Sequence, residues 1–92
     1  MVKALLDTNF ILICIKQKID FFEELKFMGV SIFIPEQVIR ELRNLKISEA
    51  DFALKLLEKN KYEEIDIGKG HVDKRIKVFA EKNPEILVAT LD

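Results

Sequence analysis

Little in this chain marks it for a specialised environment. It has one cysteine, one histidine, three glycines and two prolines in 92 residues. A lone cysteine, Cys14, excludes an intrachain disulfide and suits a reducing compartment. With no Cys or His partner at ligand spacing, His71 reads as a solvent-exposed side chain, and zinc has no ligand set. The scarcity of Gly and Pro, beside 49% apolar and 34% charged residues, excludes a disordered or low-complexity chain. An excess of one charge is also missing. The formal net charge is -1, so any contact with phosphates rests on local Lys and Arg or on bound cations. Long apolar runs are absent as well: FILICI, residues 10–15, is far too short to span a bilayer. Lys3 and Asp7 bracket only a few apolar residues, so the start of the chain does not read as a signal peptide. The expectation is a cytoplasmic protein with no membrane partner, folded as a single domain over residues 1–92.

What is present is an alternation of strand and helix patterns. VKALL at 2–6 reads as a strand, and Asp7-Thr8-Asn9 supplies turn and N-cap chemistry before an apolar helical run at 10–16. Asp20 caps a second helix with Phe21, Phe22, Leu25 and Met28 at helical spacing, and Gly29 closes it. VSIFI at 30–34 is a second strand. Pro35 at a first helical position and Glu36 in the first turn open a helix carrying Val38, Ile39, Leu42 and Leu45. Ser48 to Asp51 resembles a capping box, and the helix it opens turns Phe52, Ala53, Leu56 and Leu57 toward the core. YEEIDI at 62–67 alternates like a half-exposed strand. A helix runs from His71 to Lys82 and stops at Asn83-Pro84. EILVAT, from Glu85, is the last strand. Strands separated by helices give an α/β fold with a largely parallel sheet. The first and last strands are the most apolar, as strands buried on both faces must be, and they are placed centrally and side by side.

Both of those strands run into an aspartate, Asp7 in LLD and Asp92 in ATLD. In open α/β sheets the ligand crevice lies beyond the carboxyl ends of the strands, where strand order reverses. Two carboxylates facing each other there repel unless a cation joins them, and a hard divalent ion prefers such oxygen ligands. Two further acids sit on the borders of apolar helix faces. At about 100° per residue, Glu41 lies about 60° from Val38, whereas Leu42 and Leu45 lie within roughly 40° of it. Asp73 lies beside Ile76 and Ala80 in the same way. Taken singly, Asp7 is an N-cap, Glu41 a surface acid, Asp73 a first-turn acid and Asp92 a strand-end residue. Taken together, with two at adjacent strand ends and two on helix edges that can lean over the sheet end, they are expected to form one site.

LLDTNFIL, IPEQVIRELRNL, GKGHVDKRIKVFA and ILVATLD, in that order across nearly the whole chain, resemble the PIN domain family of metal-dependent ribonucleases. The likeness is to the archaeal branch akin to ribosomal-RNA-processing PIN proteins and VapC-type toxins. The resemblance implies a three-layer α/β/α fold with a 3-2-1-4-5 strand order. It also implies an acidic quartet of Asp7, Glu41, Asp73 and Asp92 holding Mg²⁺ or Mn²⁺, with Thr8 and Asn9 in support. The implied activity is hydrolysis of RNA phosphodiesters, with Arg40, Arg43, Lys74 and Arg75 as candidate backbone contacts. The alternative is a PIN-fold RNA- or protein-binding module without catalysis, in an RNA-processing or toxin–antitoxin assembly. PIN domains usually continue past the ATxD block with a helix and a fifth strand. The expectation is therefore a C-terminally incomplete domain whose exposed sheet edge favours a homodimer.

Overall fold

A computed structural model of the chain describes residues 2–89. The order is β1 (Val2–Leu6), α1 (Thr8–Lys16), α2 (Phe21–Phe27), β2 (Val30–Pro35), α3 (Glu36–Asn44), α4 (Ser48–Glu58), β3 (Glu63–Ile65), α5 (Val72–Lys82) and β4 (Ile86–Ala89). The four strands form one parallel sheet in the order β3-β2-β1-β4. Leu5 of β1 sits opposite Phe33 on one side and Val88 on the other. This agrees with the first four positions of the expected order, and β1 and β4 are neighbours. β1 is interior, while β4 borders the sheet among the described residues.

Side-chain alternation divides the core between the two faces. Ala4 and Leu6 of β1 and Ile32 and Ile34 of β2 pack with Ile11, Phe21, Phe22, Val38, Leu42, Ala53 and Leu57 from the first four helices. Leu5 points the other way, into a smaller cluster with Ile67, Ile76 and Ile86, against which Phe33, Phe79 and Val88 pack. Helices therefore cover both faces, giving three layers, as parallel sheets require. Local chemistry sets the helix ends. Asp20 accepts from Glu23 N–H at 3.1 Å at the start of α2, and Gly29 follows that helix at φ +73°, where a Cβ would be strained.

Several boundaries depart from the sequence expectation. Thr8 and Asn9 lie inside α1, since Asp7 alone is its N-cap. Pro35 ends β2 and caps α3 in an extended conformation, φ −62° and ψ 141°, because its fixed φ suits a strand as well as a helix. The cap of α4 is Ile47, whose carbonyl accepts from Asp51 N–H at 3.2 Å. That draws Ser48 into the first turn, and its hydroxyl donates to Glu49 instead. Leu45 is the extended C-cap of α3 and faces solvent. Phe52 does not enter the core: it is 59% exposed, because Ala50, Ala53 and Leu57 form the buried stripe of α4. β3 covers only three residues of YEEIDI, since Asp66 bends the chain by accepting from Gly68 N–H at 2.8 Å.

The division between core and surface is measurable. Phe21→Ala, at a fully buried ring, is expected to cost about 3–5 kcal/mol in urea unfolding. Phe27→Ala, at a ring 91% exposed, is expected to change stability by no more than about 0.5 kcal/mol.

Candidate functional site

β1, β2 and β3 follow one another across the sheet, and the chain then returns to place β4 on the far side of β1. The strand order thus reverses between β1 and β4, the place where open α/β sheets carry a ligand crevice beyond the carboxyl ends of their strands. Asp7 is the first residue after β1 and stands at that point. Its backbone is extended, φ −96° and ψ 170°, and Oδ1 accepts from Phe10 N–H at 2.7 Å. One amide bond does not exhaust a carboxylate, which offers two oxygens and about four lone-pair sites. Asp7 is therefore a helix cap in fact, with acceptor capacity remaining.

The next residue ties a second element to this edge. Thr8 Oγ1 donates to Glu41 Oε1 at 2.6 Å across 33 positions of sequence. The bond joins the first turn of α1 to α3, and it fixes Glu41, an exposed residue, beside the start of α1. A short hydroxyl–carboxylate bond is charge-assisted and stronger than a neutral one. Asn9 is also exposed in that first turn. Asp73 occupies the first turn of α5, exposed, just after the cap residue His71. Thr8 thus reaches Glu41. Asp92 lies outside the described residues.

Among the described residues, no group of three or more His, Cys, Asp or Glu lies close enough to hold a metal ion. Glu41 is brought beside Asp7 through Thr8, and Asp73 stands separately in the first turn of α5. As chemistry the set fits a hard divalent cation, being carboxylates with a neighbouring hydroxyl. A soft-metal or cysteine chemistry does not fit: Cys14 is buried, and burial pushes its thiol pKa up and keeps it protonated.

The expected basic contacts divide. Arg40 is exposed and pairs with Glu36 at 2.5 Å on the solvent side of α3. Arg75 is only half-exposed: its Nε donates to the Ile67 carbonyl at 2.7 Å and its guanidinium lies against Gly68. Sequence reasoning passed over Gln37, whose Nε2 donates to the Gly68 carbonyl and reaches Asp66 Oδ1 at 3.5 Å. Its one available signal was its place on α3 a single turn before Glu41. A groove of about 870 Å³ between α2 and the α4–β3 connection, lined by Phe22, Lys26, Lys59 and Tyr62, opens at the amino ends of β2 and β3, away from the acids.

A parallel sheet whose strand order reverses beside β1, where Asp7 stands, makes this an α/β domain of the kind that carries its site at the carboxyl ends of the strands. Residues 4–92 match the model of the PIN like domain family, and the chain belongs to that family. Among solved structures it is similar to the PIN domain endonuclease Utp24, with 29% identity and a TM-score of 0.83 over 98% of this chain and 71% of that one. No curated protein matches it significantly.

The double role of Asp7 separates two substitutions. Asp7→Ala removes the α1 cap and is expected to cost about 1 kcal/mol in chemical denaturation. Asp7→Asn keeps a capping oxygen and is expected to stay within a few tenths of a kcal/mol of the parent, which makes it the cleaner probe of function.

Proposed function

We propose that the protein is a divalent-metal-dependent endoribonuclease that hydrolyses RNA phosphodiester bonds. The observation that carries this reading is the position of Asp7 at the strand-order reversal, with Glu41 held beside it by Thr8. Family membership and the likeness to an endonuclease support a nuclease-type role; the metal and the substrate are our inference. Asp7, Glu41, Asp73 and Asp92 would hold Mg²⁺ or Mn²⁺, with Thr8 and Asn9 in support. Such an ion lowers the pKa of a bound water and offsets charge on the phosphate.

The chain's own residues contribute the rest. Asp7 presents a carboxylate whose orientation is fixed by the Phe10 amide. The Thr8 hydroxyl fixes one oxygen of Glu41 and leaves the other to orient water. Lys74 and Arg43, both exposed, are available to phosphates at the rim. The partners that follow are RNA and, depending on cellular role, an antitoxin or a ribosome-processing assembly, in the cytoplasm; homodimerisation belongs to the same proposal. No helix among the described residues is long and apolar enough to cross a membrane.

One observation favours a second reading, a PIN-fold RNA- or protein-binding module without catalysis: the described acids do not close a metal cage on their own. Cleavage of a single-stranded RNA in Mn²⁺ decides between the two. Since the ion supplies several kcal/mol of charge stabilisation, Asp7→Asn is expected to slow cleavage by at least roughly 100-fold. Chelation should abolish cleavage. Equal cleavage by parent and variant would defeat the nuclease reading.

A further inference from the structure

The segment carrying Asp73 runs from the end of β3 through Asp66-Ile67-Gly68-Lys69-Gly70-His71 into α5. Such a stretch, with two glycines at positive φ, has little intrinsic stiffness. It is nevertheless fastened at three points. Asp66 Oδ1 accepts from Gly68 N–H at 2.8 Å and closes the turn. Arg75, two residues beyond Asp73, reaches back eight positions so that Nε donates to the Ile67 carbonyl at 2.7 Å. Gln37 of α3 donates from Nε2 to the Gly68 carbonyl from the other side. Ile67 is buried beneath this arrangement.

We propose that Gln37 and Arg75 are positioning residues that lock the Asp73 segment to the helix bearing Glu41. The inference rests on the nuclease reading of the acidic edge. Gln37 precedes Glu41 by one helical turn, so α3 holds the acidic edge through Glu41 and the Asp73 segment through Gln37. Arg75 closes a ring from Ile67 to α5 that contains Asp73. Gly68 makes the closure possible. At φ +96°, a Cβ there would stand 2.5 Å from Arg75 Nη2 and 2.8 Å from Nε, so any side chain displaces the guanidinium. Gln37 Oε1 is buried and has no hydrogen-bond partner among the described residues. The amide is held by its donor end, which a carboxylate could not replace.

Two roles for Arg75 give opposite kinetic signatures. A phosphate contact acts through charge. Arg75→Ala would then raise KM and lower the salt slope by about one, and Arg75→Lys would restore both. The lock acts through a planar guanidinium bonded to one carbonyl over a glycine, which an ammonium does not reproduce. Partners that orient ligand groups are typically worth about 10–100-fold in metal affinity or activity.

The test is steady-state cleavage of a single-stranded RNA in Mn²⁺ by the parent protein, Arg75→Ala, Arg75→Lys, Gln37→Ala and Gly68→Ala, with thermal midpoints measured alongside. Each variant is expected to lose about 10–100-fold in kcat with KM changed less than about threefold and an unaltered salt slope. Should Gly68→Ala fail to fold, Gln37→Ala and Arg75→Lys carry the comparison. A parent that cleaves while Gln37→Ala and Arg75→Lys match it overturns the lock alone. A raised KM in Arg75→Ala that Arg75→Lys restores overturns it in favour of a phosphate contact. A parent that does not cleave overturns the nuclease reading, and the lock falls with it.

Discussion

The structure depends on burying β1 on both faces. Ala4 and Leu6 enter one apolar cluster and Leu5 the other, and all three are nearly or fully buried. No water can satisfy the backbone of such a strand, so it must have hydrogen-bonded neighbours on both sides. β2 supplies one and β4 the other. Parallel pairing requires crossovers, and these have a fixed hand. A chain that builds toward β3 and then returns past β1 must therefore place its last helix on the opposite face, and α5 packs there. The reversal beside β1 is thus a consequence of core burial, and the first residue beyond β1 is Asp7.

Stability and chemistry meet at that residue without competing strongly. Its cap bond to Phe10 stabilises α1 by an amount that an asparagine nearly matches, whereas only a carboxylate brings negative charge to the crevice. The Thr8–Glu41 bond works similarly, since it joins two helices and also directs one oxygen of an exposed acid. Asp7 is half-buried while Glu41 and Asp73 are exposed, so each of these acids is open to solvent.

Much of this was legible in the sequence. The apolar strands, the order of elements, the adjacency of β1 and β4 and the cap at Asp20 all follow from short-range pattern and cap chemistry. Glu41 was visible as a border acid on α3, but its bond to Thr8 was not. What pattern could not give depends on details of phase and on side-chain bonds. Phe52 fits a helical stripe by spacing, but the small Ala50 and Ala53 let α4 pack closely and turn the ring outward. YEEIDI alternates well beyond the three residues that pair, because the Asp66 turn interrupts it. Arg75 reads as a rim cation from its charge, whereas its bond to the Ile67 carbonyl is a tertiary contact that composition does not encode. Asp92, at the end of the last apolar run, falls outside the described residues.

The central claim is that acids from separate elements converge on one divalent ion at the carboxyl edge of the sheet. Titrating Mn²⁺ into the isotopically labelled protein and following amide line broadening tests it most directly. The account predicts broadening that begins at residues 7–9, 41 and 73 at the lowest Mn²⁺ concentrations, and that is much reduced in Asp7→Asn. Broadening that starts instead at the exposed acids Glu58, Glu63 and Glu64, or that persists unchanged in Asp7→Asn, would contradict it.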